Sequence, residues 1–339
     1  MMGTKTQMKS RMFRPHQVAI AKSLVGRFAQ LIAVMIAVTL LTFLILSSTP
    51  GSVIDARIGP LPNFSPEERA RIVESMTKQL GLDEPLWRQY LLWMRQVMQG
   101  NFGFTYQGLN VTDLIGSRLL PTIELGVVAI LFGVMGSLMV SLLAFRTRFR
   151  AIRGSIQGSM TLLLVMPAFW LGLVLVIITA SKFNWLPAAG YSEFSEGKWE
   201  HIQFLILPVL TLALPQMALF FRYLYAGLRD AENSAFVTAS RARGISERDI
   251  VFRHIFPNAV LPTITVIGLV AGSLISGLVI VETVFSWPGL GALLVKSVEV
   301  KDYNTVAASV LLTAFAYVSV AFIVDIIYQV VDPRIRRQS

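Results

Sequence analysis

Few residues in this sequence are equipped for covalent or metal chemistry. It has no cysteine, which excludes disulfides and thiolate metal sites. Its three histidines, His16, His201 and His254, stand far apart, a spacing that does not suggest a shared metal ion. Gly197-Lys198 is followed by Trp199, and Ser192 stands where a phosphate-binding loop needs its first glycine. Neither a His-Glu-x-x-His helix nor a Gly-x-Ser-x-Gly elbow occurs. The reading is therefore a non-enzyme with no catalytic, cofactor-binding or metal-binding residue of its own.

What remains is charge placed among apolar residues. Glu124, Glu282 and Asp325 lie in or beside long apolar runs, where a carboxylate is costly and faces a partner or a cavity. Glu124 and Glu282 either line a pathway or form structural pairs, and both readings stand; Asp325 reads as a structural pair or cap. The run around Glu282 also carries Gly268, Gly272 and Gly277, with Gly268 and Gly272 spaced for close helix approach. They suit either packing or a pathway wall. Just beyond, "TVFSWPGLG" forces a turn at Pro288-Gly289, with Trp287 at an interfacial position, as a gate or as a plain turn.

The other charged feature is "TASRARGISERDIVFRHIFPNA", Thr238 to Ala259. Ser234 is placed to cap a helix over Ala235–Arg243, which Gly244 stops. Ser246 caps a second helix, with Asp249 three residues on, Ile245 and Ile250 as a hydrophobic staple, and Pro257 as the end. A DNA-reading helix-turn-helix would need a third helix, so nucleic acid is set aside. A merely solvated loop would not need defined caps. Small residues between charges suit close approach to another protein.

These residues need a scaffold, and the composition supplies one. The chain is 54% hydrophobic and only 15% charged, with a mean hydropathy of +0.62. Six segments reach the roughly 20 apolar residues that cross a bilayer: about 28–48, 119–145, 155–181, 204–224, 259–285 and 305–331. The first is read as an uncleaved span, too long for a signal peptide. Pro167, Pro208 and Pro215 should bend or interrupt their spans. The N-terminal arm, the 146–154 loop, segment 222–258 and the tail hold 19 Lys and Arg against five acidic residues. The other connections hold 11 against 12. That asymmetry places both termini and the hairpin in the cytoplasm. Segment 50–118 is then external, with a capped helix from Ser65 and a second helix carrying Trp87, Tyr90 and Trp93. The second helix reads as interfacial or as a lid over an outer mouth.

The hairpin resembles the cytoplasmic loop of binding-protein-dependent ABC importer permeases: Glu-Ala-Ala, three residues, Gly, nine residues, Ile, any residue, Leu-Pro. Gly244 and Pro257 keep that spacing, and Ala239 keeps the first alanine. Thr238, Ser240, His254 and Phe256 replace the Glu, second Ala, Ile and Leu. Other stretches are similar to the B-type permease of peptide and nickel importers, in order along nearly the whole chain. They include "RLLPTIELG", "MPAFWLGLVL", "LPVLTLALP", "VIVETVFSWPGLGALLVKSV", "KDYNTV" and "DIIYQVVDPRIR". "GNFGFT" departs from that subfamily, as do Arg243 and Pro257, where Lys and another basic residue are usual.

The resemblance implies an all-α, six-span membrane protein of type I importer architecture, in the inner membrane of a bacterial-type cell. It would comprise 1–118 (arm, first span and external segment), a five-helix core at 119–331 containing coupling loop 227–258, and a tail at 332–339. The implied role is half of a translocation pathway for di- or oligopeptides or a related solute. Implied partners are a homologous second permease, two cytoplasmic ATPases that carry the ATP and Mg, and an extracytoplasmic solute-binding protein. Phe236, Val237, Ala239, Ser240, Arg241, Arg243, Gly244 and Glu247 would form the coupling interface. Glu124, Gly268, Gly272, Gly277, Glu282 and Trp287 would be pathway or gate residues. The alternative is an ion- or proton-coupled secondary transporter acting alone.

Overall fold

The computed structural model describes residues 28–45 and 84–331 except Tyr106, with Gly26, Ser47, Ser48 and a few residues between 65 and 75. The N-terminal arm, most of segment 50–83 and the tail lie outside the described residues. Within that segment, the expected capping box at Ser65 is formed: Ser65 N–H donates to Glu68 Oε2 at 3.0 Å, and Glu68 N–H to Ser65 Oγ at 3.3 Å.

Among the described residues the chain is built from helices, with one isolated β-bridge, Phe104 to Asn110. In order they are α1 (Phe28–Ile45), α2 (Leu86–Met98), α3 (Val111–Arg146), α4 (Arg150–Val165) and α5 (Ala168–Val176). They continue with α6 (Lys198–Glu232), α7 (Ala235–Ala242), the short α8 (Glu247–Asp249), α9 (Phe256–Val284), α10 (Leu290–Glu299) and α11 (Tyr303–Val331). Among the described residues five helices are long and apolar enough to cross a membrane, and α4 with α5, bent at their junction, makes a sixth where the pair counts as one broken span and not as a re-entrant loop.

That break corrects the expectation of a continuous third span. α4 and α5 meet at 110°. Pro167 lacks an N–H, and Met166 before it is extended at ψ 129°, as a residue preceding proline prefers. Pro208 and Pro215 do not interrupt their span: α6 runs 35 residues through both. The helix packs against α3, α4, α5 and α9, and this enclosure holds it together despite two missing donors. It is the axis of the bundle.

The most extensive packing on α6 comes from α3. Its buried residues fall every fourth position, at Leu125, Ala129, Gly133, Ser137 and Ser141, and most are small. This stripe lets the α6 backbone approach: a β-carbon on Gly133 would lie 3.4 Å from the carbonyl oxygen of Ala213. α6 also crosses α9 closely, at Gly227 and Ala259. α2 rides on α1, where Tyr90 Oη and Thr39 Oγ1 are 2.8 Å apart and Phe43 meets the rings of Tyr90 and Trp93.

The two crossings give opposite expectations for one substitution type. Gly227→Ala would bring a β-carbon to 2.8 Å from Ala259 O, and should lower stability by about 1–3 kcal/mol. Gly154→Ala in α4 meets nothing within 4 Å and should stabilise by about 0.5–1 kcal/mol. Thermal unfolding of the purified variants checks both signs.

Candidate functional site

The hairpin sits where α6 leaves the bundle. Ser234 begins α7 with extended backbone (ψ 151°), but its hydroxyl donates back to Ala231 O at 2.5 Å, not to the new helix. Ser234 is thus a tie to α6, which corrects its expected side-chain cap. α7 ends at Ala242, one residue early. Gly244 N–H donates to Arg241 O and Ile245 N–H to Ser240 O, a Schellman closure that needs left-handed backbone, and Gly244 has φ +76°. Ser246 caps the next turn as expected: Asp249 N–H donates to Ser246 Oγ at 3.2 Å, and that hydroxyl donates to Asp249 Oδ2 at 2.7 Å.

Pro257 does not end the second arm, contrary to the sequence reading. The chain passes through a wide turn at Ile250–Ile255, in which Phe256 N–H reaches back to Val251 O, and flows into α9. Pro257 falls in the first turn of α9, where no N–H is needed. The second arm is therefore the root of a span.

Six of the eight expected interface residues are exposed: Phe236, Ala239, Arg241, Arg243, Gly244 and Glu247. Val237 and Ser240 are turned inward, at 0% and 8% exposure, and cannot offer their side chains to a partner. Val237 packs with Leu224, Leu228, Ile250, Ile255 and Ala259, which welds the hairpin to α6 and α9. Ser240 donates to Phe236 O.

Arg241 grips Glu247 with two bonds, Nε to Oε1 at 2.8 Å and Nη2 to Oε2 at 3.2 Å. The Arg241 guanidinium holds the Glu247 carboxyl below its ordinary value, and the pair pushes Arg241 up. A depressed carboxylate adds stability above its unfolded pKa and loses it as pH falls through the folded one. The pair is exposed, so the contribution is small.

At the opposite end of the bundle, Glu282 is fully buried. It accepts from Thr122 Oγ1 at 2.7 Å, Gly291 N–H at 2.7 Å and Ala292 N–H at 3.0 Å. Leu290 N–H donates to Thr122 Oγ1 at 2.8 Å. The first three N–H groups of α10, otherwise without helical partners, are all satisfied by α3 and α9. Trp287, also fully buried, donates from Nε1 to Pro121 O at 2.9 Å. A β-carbon on Gly289 would overlap the Glu282 carboxylate, so this glycine is required.

His201, 2% exposed, opens α6 beside this knot. Its Nδ1 is 2.7 Å from Ser192 O and its Nε2 2.7 Å from Glu124 Oε1. A carbonyl only accepts, so Nδ1 carries a hydrogen, and the second contact requires one proton between Nε2 and Glu124. Tyr191, Phe194 and Trp287 meet the imidazole edge-on. Burial first, then the carboxylates of Glu124, Glu193 and Glu196, push the Tyr191 phenol up.

The pathway expectations change accordingly. Glu282 and Trp287 are buried and hydrogen-bonded within the chain, which is the structural side of the two readings each was given. Gly272 lies under the Tyr317 ring and Gly277 under Leu212, so both are packing positions; Gly268 is half-buried. Glu124 remains partly exposed but is held by His201. No sequence motif pointed to His201, because its partners lie 77 residues upstream and on a loop backbone.

A bundle of apolar helices long enough to cross a membrane, packed around one central helix and with a capped hairpin at one end, is the architecture of a multi-pass membrane protein. The comparisons make this specific. Residues 133–337 match the family described as binding-protein-dependent transport system inner membrane component, and residues 20–112 match the N-terminal region of such membrane components. The oligopeptide transport system permease protein AppB of Bacillus subtilis is 32% identical over 320 residues, covering 93% of this chain and 99% of that one. The glutathione transport system permease protein GsiC of Escherichia coli K12 is 33% identical over 318 residues, covering 92% and 98%. A crystal structure of an amino acid ABC transporter shares the fold at TM-score 0.50 and 16% identity, over 64% of this chain and 94% of that one. This chain belongs to the family of inner membrane permease components of binding-protein-dependent transport systems. It is a multi-pass ABC importer permease subunit with a translocation pathway coupled to an ATPase, and that sets aside a secondary transporter acting alone.

Glu282→Ala should strand three buried donors, at about 1–3 kcal/mol each, whereas Trp287→Phe strands one carbonyl and keeps most of the packing. The alanine variant should therefore unfold at a clearly lower temperature than the phenylalanine variant. Equal melting temperatures would show that the knot does not carry the outer end.

Proposed function

We propose that this chain is the B-type permease of a peptide importer, one half of a pathway for di- or oligopeptides or a related solute. Its partners in this reading are a homologous second permease, two cytoplasmic ATPases holding ATP and Mg, and an extracytoplasmic solute-binding protein. Both termini and the hairpin face the cytoplasm, in keeping with the basic residues gathered there. The relatives named for oligopeptide and glutathione transport support the substrate class, since glutathione is itself a small peptide.

The observation that carries the coupling role is the hairpin surface. Phe236, Ala239 and Gly244 present an exposed face, one aromatic ring beside two small residues, on a turn closed at both caps and rooted in α6 and α9. An ATPase cleft gripping that face would move the two helices together. The outer knot would keep the far ends in register while the inner ends shift.

Ala239→Asp and Gly244→Asp should insert normally, because neither position packs inside the chain. In the assembled transporter both should abolish peptide uptake and peptide-stimulated ATP hydrolysis, with solute capture by the binding protein unchanged. Normal uptake in both variants would sink the coupling role. An intact transporter that carries no di- or oligopeptide would sink the substrate assignment instead.

A further inference from the structure

A groove of 350 Å³ runs between α4 and α6, away from both the hairpin and the outer knot. Its lining is graded along the bundle. α4 leads away from Arg150 and α6 leads toward the hairpin, so Gln157, Arg222 and Tyr225 lie at the hairpin end. Met160, Thr161 and Leu164 lie deeper. The depth can be placed, because Phe221 packs in one cluster with Ala144, two residues before α3 ends at Arg146. Arg222 therefore stands level with the end of α3, where the sequence turns from apolar to basic at Arg146, Arg148 and Arg150. From Gln157 to Leu164 the groove follows about 10 Å of helix, which fits inside one leaflet of about 15 Å.

Charge accounting separates Arg222 from its neighbours. Arg229 pairs with Glu232, Arg241 with Glu247 and Arg253 with Asp249. Arg222 is exposed and has no ion-pair partner among the described residues. Tyr225 accepts from Arg229 Nε at 3.1 Å, which leaves its own hydroxyl hydrogen to donate. Arg146, Arg148 and Arg150 add positive charge at the same membrane surface, and no acidic residue lies between positions 125 and 192. A cationic, donor-rich rim above an apolar floor, between two helices at the membrane surface, has the chemistry of a site for an anionic lipid headgroup.

We propose that this groove binds an anionic phospholipid of the leaflet on the hairpin side. Arg222, Gln157 and Tyr225 hold the phosphate, and the upper part of one acyl chain lies on Met160 and Leu164. The bound lipid supplies the counter-ion that the chain does not, and it covers the seam between α6 and the first half of the broken span.

The test is lipid retention by the full-length chain purified with its partner subunits from membranes containing phosphatidylglycerol and phosphatidylethanolamine. Mass spectrometry should find phosphatidylglycerol enriched over its membrane share. Arg222→Gln should lower that retention about five-fold, the worth of one arginine at an anionic surface, and leave phosphatidylethanolamine unchanged. Arg148→Gln, outside the groove, should retain the wild-type level. Thr161→Trp fills the groove without touching its charge and should also expel the lipid. Equal phosphatidylglycerol retention in wild type, Arg222→Gln and Thr161→Trp would overturn the site. The chain has no cysteine, so Gln157→Cys gives one reactive thiol. Its cross-linking to another subunit, or its protection by a transported peptide, would also overturn the proposal, assigning the groove to a subunit contact or to the solute path.

Discussion

The carboxylate of Glu282 holds together three segments whose polar groups have no water to turn to. Within a bilayer, backbone may leave the helical pattern only where protein satisfies the freed groups. The turn at Phe285–Gly289 is such a place. One carboxylate and one threonine hydroxyl take up the three leading N–H groups of α10. Trp287 ties the turn to the carbonyl of Pro121, and Gly289 leaves room for the carboxylate. His201 and Glu124 add a second tie one turn further along α3. The ends of α3, α6, α9 and α10 away from the hairpin are thereby fastened to one another.

The inner ends are fastened differently. There the hairpin packs by apolar contact, through Val237, Ile250 and Ile255, against α6 and α9. α6 joins the two regions without a break, from His201 near one end to Glu232 at the other, over 35 residues. At 1.5 Å per residue it is about 52 Å long. Because α6 packs against four other helices and carries no break, in the proposed coupling a push on the hairpin would reach the far knot along one continuous helix. The bend at Pro167 gives the neighbouring span a joint that α6 lacks. Of these two neighbours only one is bent in its middle, an arrangement suited to rocking of a continuous axis against a bent neighbour.

Much of this was legible in the sequence, for identifiable reasons. Spans are announced by length and hydropathy, because the bilayer demands both. Local caps at Ser65, Gly244 and Ser246 were legible because a cap is settled within three or four residues. The effect of proline was only half legible. Pro167 and Pro208 look alike in sequence, but one is weakly supported and breaks its helix, while the other is enclosed and does not. Long-range pairs were illegible: nothing local to Glu282 says that Thr122 and the start of α10 converge on it. The glycines misled for a related reason. Gly268 and Gly272 look like the close-packing pair because they are spaced for it, whereas the tight backbone crossing on α9 is Gly227 against Ala259 and the most extensive contact uses the longer stripe of small residues on α3.

The hairpin carries six arginines between 222 and 258, which invites an electrostatic account of partner recognition. The contacts argue otherwise. Arg241 is taken up by Glu247, Arg229 by Glu232 and Arg253 by Asp249, all within the chain. Arg222 lies back along α6, facing the membrane groove. That leaves Arg243 and Arg248 exposed on the hairpin without ion-pair partners among the described residues. Two solvated cations contribute mainly to the rate of encounter. The exposed ring of Phe236, the bare surface at Ala239 and the left-handed turn at Gly244 have a fixed shape, because caps and a buried apolar root hold them. Force is transmitted by surfaces that cannot yield, so the small residues of this hairpin, more than its charges, suit it to the proposed role of passing a partner's movement into the bundle.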